Sequence, residues 1–276
     1  MHVTLGYAGR LFLVRLPHQG DHALDPDAAR MVLTGVHQVA AGGSDADAGE
    51  VGVLLDPQAF AGLADGLGEQ VGLVVPLSSG DPDFQLAADH GFGAQLEDAD
   101  AAVAHVGVRW ATDHDPDAKK AQVLDLTRLA AWLHETGRAL LVEVTVPGLG
   151  GLAGEQRTDE LVKTLREIRE LGVEADLWAV PGPLGSDTAR ALCDLVRDAG
   201  RDDVGILVVD EGNPHDAGAD SDLTVAGVVG FVLGPDIWSD VLRRRQAGEI
   251  DEAEASAQVA DLLRQRIARA GGPAGT

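Results

Sequence analysis

The chain has 276 residues and carries 45 acidic against 21 basic side chains, a formal charge of -24. That balance excludes a nucleic-acid phosphate backbone as partner, because such affinity comes from Lys and Arg displacing counterions. The single cysteine, Cys193, excludes an internal disulfide, and no apolar run approaches the roughly 18 residues of a membrane span.

The N-terminus lacks a basic segment followed by an apolar one, so the reading is a cytoplasmic protein without a leader. A composition that is 45% hydrophobic, with 35 glycines and 4% aromatic residues, is that of a globular α/β protein. The acidic, lysine-poor surface is assigned to genome composition or habitat rather than to mechanism.

In chain order, short apolar runs predict strands at Leu11–Leu16, Val51–Leu55, Val71–Val75, Val103–Val108, Ala139–Val146, Ala175–Val180, Val204–Val209 and Val228–Leu233. Helical stretches are expected at Asp25–Ala41, Ala118–Thr136, Thr158–Leu171, Ser186–Ala199, Asp236–Arg245 and Ile250–Ala270, most of them opened by Asp, Ser or Thr as a cap. Ser78–Ala94 and Gly212–Asp222 read as loops, and residues 271–276 as a frayed tail. Eight βα units with right-handed crossovers predict one (β/α)8 TIM barrel over residues 1–270.

Active sites of such barrels lie at the C-terminal ends of the strands. Side chains alternate along a strand, so Arg15 shares the inward face of the first strand with Leu11 and Leu13, and His18 lies just beyond it. Asp56 ends the second strand, and Asp210 with Glu211 ends the seventh. His105 and Arg109 point inward from the fourth strand, and Glu143 from the fifth.

An inward carboxylate needs a partner, and Arg15 is expected to enter the barrel to pair with Glu143, with Arg109 as the second donor. Two readings stay open: a buried ion-pair network that holds the barrel, or a site for an anionic or polyhydroxylated ligand. If the mouth does chemistry, His18 and His105 are the proton carriers and Glu143 the orienter or base. Convergence of His18, His105, Asp56 and Glu143 on a divalent ion is the alternative, but no HxH or HExxH spacing supports it, and neither metal nor cofactor is expected. Ser79, Gly212 and Gly234 are candidate elements of a phosphate cradle. Cys193 reads as a packing residue inside a helix.

Four segments carry a resemblance: LAAWLHETGRALLVEVTVP (Leu129–Pro147), LREIRELGVEADLWAVPG (Leu165–Gly182), GRDDVGILVVDEG (Gly200–Gly212) and VVGFVLGPDIW (Val228–Trp238). They resemble the aldolase-like domain of bacterial myo-inositol catabolism, found alone or fused behind the 5-dehydro-2-deoxygluconate kinase and similar to class I tagatose-bisphosphate aldolases. The resemblance implies a class I aldolase barrel with a Schiff-base lysine on the sixth strand, inside a motif Trp-Lys-Ile-Glu-Gly. Here that motif reads Trp178-Ala179-Val180-Pro181-Gly182.

By the same resemblance a second inward lysine is replaced by His105, and a third falls in Leu77–Gly80. An Asp-His-Arg run is reduced to Pro17-His18-Gln19, and an arginine after Gly234 is Pro235. Asp56, Arg109 and Glu143 remain, whereas Arg15 stands where the family has a small residue. The three lysines, Lys119, Lys120 and Lys163, are expected on solvated helix faces. The reading is therefore a barrel that binds a sugar or sugar phosphate at its mouth without Schiff-base chemistry, and a homo-oligomer is compatible with it. Altered acid–base or metal-dependent chemistry, or a non-catalytic role beside another enzyme, are the alternatives.

Overall fold

Eight parallel strands close into a barrel in sequence order: β1 (Leu11–Leu16), β2 (Glu50–Leu55), β3 (Gly72–Pro76), β4 (Val103–Arg109), β5 (Ala139–Thr145), β6 (Leu177–Pro181), β7 (Gly205–Asp210) and β8 (Val228–Leu233). Around them lie α1 (Pro26–Ala40), α2 (Gly91–Asp98), α3 (Pro116–Glu135), α4 (Gly154–Glu170), α5 (Ser186–Val196), α6 (Ser239–Gln246) and α7 (Glu252–Ala270). This computed structural model describes residues 10–20, 22–42, 50–67, 70–77, 91–111, 115–210 and 223–270. The expected (β/α)8 architecture is the observed one.

Strand alternation builds two separate apolar layers. Val106, Val108 and Trp110 of the β4 segment, with Val142 and Val144 of β5, face outward onto Leu126 and Leu129 of α3 and Leu161 and Leu165 of α4. Leu13, Leu54, Val74, Leu141, Leu177, Ala179 and Leu207 face inward and fill the lumen. The barrel is thus a packed core whose usable opening lies above this layer.

Helix starts follow local chemistry. Asp25 accepts a hydrogen bond from the Ala28 amide at 2.7 Å with Pro26 at the first helical position, and Asp115 caps α3 through the Asp117 amide at 3.1 Å. Helix α4 departs from expectation by starting at Gly154, four residues before Thr158. The Thr158 hydroxyl donates backwards to the Gly154 carbonyl at 3.3 Å, so it sits inside the helix and does not cap it. The expected helix Ser186–Ala199 ends at Val196 and passes into a 3-10 turn at Asp198–Gly200. That expected at Asp236–Arg245 divides into a 3-10 turn, Pro235–Ile237, and α6. Gly91–Ala94, expected as loop, belongs to α2, while residues 78–90 lie outside the described residues, as do 211–222 and 271–276.

Between β7 and β8 the register shifts at Ile206/Leu207, and Gly230 there has φ +156°. A Cβ on Gly230 would stand 1.8 Å from the Leu11 carbonyl oxygen of β1, so only glycine lets the β8–β1 seam close. Among the described residues no helix is long and apolar enough to cross a membrane.

Cys193 lies buried in α5, as expected of a packing residue, and burial pushes its thiol up to about 11. Because the thiolate is the reactive form, Cys193 is expected to resist iodoacetamide in the native protein at neutral pH and to react fully in urea. Mass spectrometry of the two samples checks this; full modification of the folded protein would show that the α5 packing is wrong.

Candidate active site at the barrel mouth

Arg15, near the end of β1, crosses the lumen and donates from Nη2 to Oε2 of Glu143 on β5, four strands away in the ring. His105 of β4 meets the same carboxylate oxygen from its Nε2 at 3.0 Å. Glu143 and His105 are buried, and Ala179 is the register neighbour of Glu143 on β6. Burial by itself would raise the Glu143 carboxyl. The Arg15 charge and the His105 hydrogen bond outweigh it and hold the group at about 2. The mouth therefore has a charged floor, bordered by the apolar lumen residues Leu13, Leu141 and Leu207.

A second pair lies on the β1–β2 side. His18 Nε2 is 3.5 Å from Asp56 Oδ2, and the His18 ring stands edge-on to Phe60. The other Asp56 oxygen accepts from the Gln58 amide at 2.8 Å and more loosely from Ala59 at 3.4 Å, which fixes the carboxylate. The four side chains weighed as metal ligands thus form two His–carboxylate couples. Among the described residues no three metal-ligating side chains converge.

Arg109 is exposed at the end of β4 and does not serve as the second donor to Glu143. Gly234 opens the 3-10 turn after β8, whereas Ser79 and Gly212 lie outside the described residues. Lys120 and Lys163 are on exposed helix faces, as expected. Lys119 is a correction, because it is buried: its Nζ donates to Glu167 Oε1 at 2.9 Å and lies 5.1 Å from the centroid of the Trp110 ring. Trp110 Nε1 binds the other Glu167 oxygen at 3.0 Å, so the ammonium is enclosed between the barrel wall and α4.

Two further features were not anticipated. Arg266 of α7 bridges Asp210 at the end of β7, at 3.0 Å, and Asp236 beyond β8, at 2.8 Å. Burial, with the neighbouring Asp210 charge, pushes the Asp236 carboxyl up to about 6 despite that arginine. Arg157 of α4 donates to the carbonyls of Leu149 at 3.3 Å, Pro181 at 3.1 Å and Gly182 at 2.6 Å, tying the loop after β5 to the end of β6. An arginine in an acidic helix sequence gives no local sign of such distant partners.

Comparison with solved structures returns similar barrels, two of them named as fructose-bisphosphate aldolases. Cgl0159 of Corynebacterium glutamicum is similar at 18% identity over 96% of this chain and 88% of its own, with a TM-score of 0.58. A Schiff-base-forming fructose-1,6-bisphosphate aldolase aligns at 17% identity over 93% of this chain and 95% of its own, with a TM-score of 0.55. The fructose-bisphosphate aldolase of Slackia heliotrinireducens aligns at 16% identity over 92% and 86%, with a TM-score of 0.53. These likenesses establish an aldolase-like fold. No curated protein matches the sequence. Residues 20–269, nearly the whole barrel, match the DUF2090 family, described as an uncharacterized protein conserved in bacteria, and the chain belongs to that family.

Proposed function

We propose that this barrel binds a sugar or sugar-phosphate-like ligand at its C-terminal mouth and does not perform Schiff-base chemistry. The observation that carries the reading is Ala179, an alkyl side chain beside Glu143 in the lumen, with Arg15 occupying the carboxylate from the opposite wall. An imine requires a neutral, accessible amine. Lys119 is enclosed by Glu167 and Trp110, and Lys120 and Lys163 are on solvated helix faces outside the barrel. The similar barrels whose names specify fructose-bisphosphate aldolase favour a phosphorylated sugar as the ligand class.

Borohydride reduction in the presence of dihydroxyacetone phosphate is expected to give no covalent adduct by intact mass. A stoichiometric adduct on any of the three lysines would overturn the reading.

The two His–carboxylate couples favour a second reading, acid–base chemistry on the bound ligand with His18 and His105 as proton carriers and Glu143, held at about 2 and so too weak a base, as orienter. An activity that persists at full rate in His105→Ala and in Glu143→Ala would remove it.

A further inference from the structure

The imidazole of His105 is buried, yet its Nδ1 has no hydrogen-bond partner among the described residues. Buried polar atoms are ordinarily satisfied, so an orphan at the mouth of a barrel calls for an explanation. The other ring nitrogen restricts what Nδ1 can be. Nε2 lies 3.0 Å from a carboxylate oxygen that also receives the Arg15 guanidinium. An ionised carboxylate only accepts, so the hydrogen of that bond belongs to Nε2. In the neutral ring the remaining nitrogen is then a bare lone pair, an acceptor.

We propose that Glu143 fixes His105 as the Nε2–H tautomer and that the Nδ1 lone pair receives a hydroxyl hydrogen of a polyol ligand. The ligand half of this inference rests on the function proposed above; the tautomer half does not. A lone pair accepts from alcohols and is repelled by the acceptor-only oxygens of a phosphomonoester dianion. The polyol portion of a ligand therefore lies against β4 and β5, and a phosphate group is excluded from that wall. Glu143 acts here as a positioning residue: the low value at which Arg15 and His105 hold its carboxyl keeps it an acceptor throughout the neutral range.

Long-range proton–nitrogen correlation spectra of histidine-labelled protein at about pH 8 test the tautomer directly, with His105→Gln identifying the resonances. Protonated Nε2 and bare Nδ1 are expected in the ligand-free protein. In Glu143→Gln the ring hydrogen should move toward Nδ1, because an amide can donate to Nε2 where a carboxylate cannot. A protonated Nδ1 in the native protein would overturn the inference, whatever the variant does.

Titration with D-glucitol is expected to shift the Nδ1 resonance, and titration with methyl phosphate, whose dianion carries no hydroxyl hydrogen, is expected to leave it in place. If D-glucitol moves the Arg15 side-chain signals but not Nδ1, the inference falls and the ligand-binding reading stands. A shift of Nδ1 by methyl phosphate would also sink the inference, and silence of both residues toward both probes would overturn both readings.

Discussion

Replacing Arg15 by alanine is expected to destabilise the barrel by about 3–5 kcal/mol, the cost of stranding a buried carboxylate, against about 0–1 for an exposed pair. The Glu143 side chain is 11% exposed and that of Arg15 29%, so water reaches the arginine side and the lower end of the range is expected. Glu143→Gln on the Arg15→Ala background should recover part of the loss, since it removes the stranded charge. Urea melts of both single variants and the double variant close the cycle. An unchanged midpoint in Arg15→Ala, accompanied by loss of sugar-phosphate binding, would show that the pair serves a wet ligand pocket and is not structural.

The same pair sets an acid limb. Glu143 sits at about 2 in the fold against roughly 4.3 in an unfolded chain. The unfolded state therefore binds more protons between these values, and the contribution is complete above the unfolded value and disappears as pH falls toward 2. It amounts to about 3 kcal/mol, to order of magnitude. Arg15→Ala should flatten this limb between about pH 4.3 and 2 as well as lower the plateau.

Gly230→Ala is expected to cost about 2–6 kcal/mol, the sum of backbone strain and overpacking. The upper half of that range is expected because the obstructing atom is the Leu11 carbonyl oxygen, part of the β1 ladder and unable to rotate away. Gly248 supplies the control: its φ is +71°, with nothing within 4 Å of an added Cβ, so Gly248→Ala isolates the dihedral strain. Urea midpoints of the two variants measure the difference. Equal losses would mean that β8 can withdraw from β1 at no cost, contrary to a closed seam.

The barrel was legible because its strands obey two local rules at once, an apolar run of strand length and an inward–outward alternation. Leu11–Leu16 and Val228–Leu233 have the same limits in sequence and structure. Alternation also placed Arg15, His105 and Glu143 on the lumen side, and the rule that an inward charge needs a partner anticipated the Arg15–Glu143 contact. Lys119 was not legible: a lysine in the first turn of a helix reads as solvated, while the groups that enclose it are Trp110 in the preceding segment and Glu167 on the next helix. Arg266 poses the same difficulty, since its partners follow two different strands. Thr158 misled for a local reason, being a capping residue type that bonded back into its own helix.

The charged floor also divides the chain into two electrically incomplete pieces. Gly137, in left-handed geometry with φ +68°, forms the turn between α3 and β5. A polypeptide cut there would leave both donors, Arg15 and His105, in the first fragment and their acceptor, Glu143, in the second. Each half-barrel would expose its apolar lumen face, the first with the Arg15 guanidinium and the second with the Glu143 carboxylate, each without the other. Reassembly from fragments would be directional, since two copies of the same half would oppose like charge with like, whereas unlike halves neutralise. A split version of this protein is therefore expected to complement as a heterodimer in preference to either homodimer, which native mass spectrometry of the mixed fragments would show.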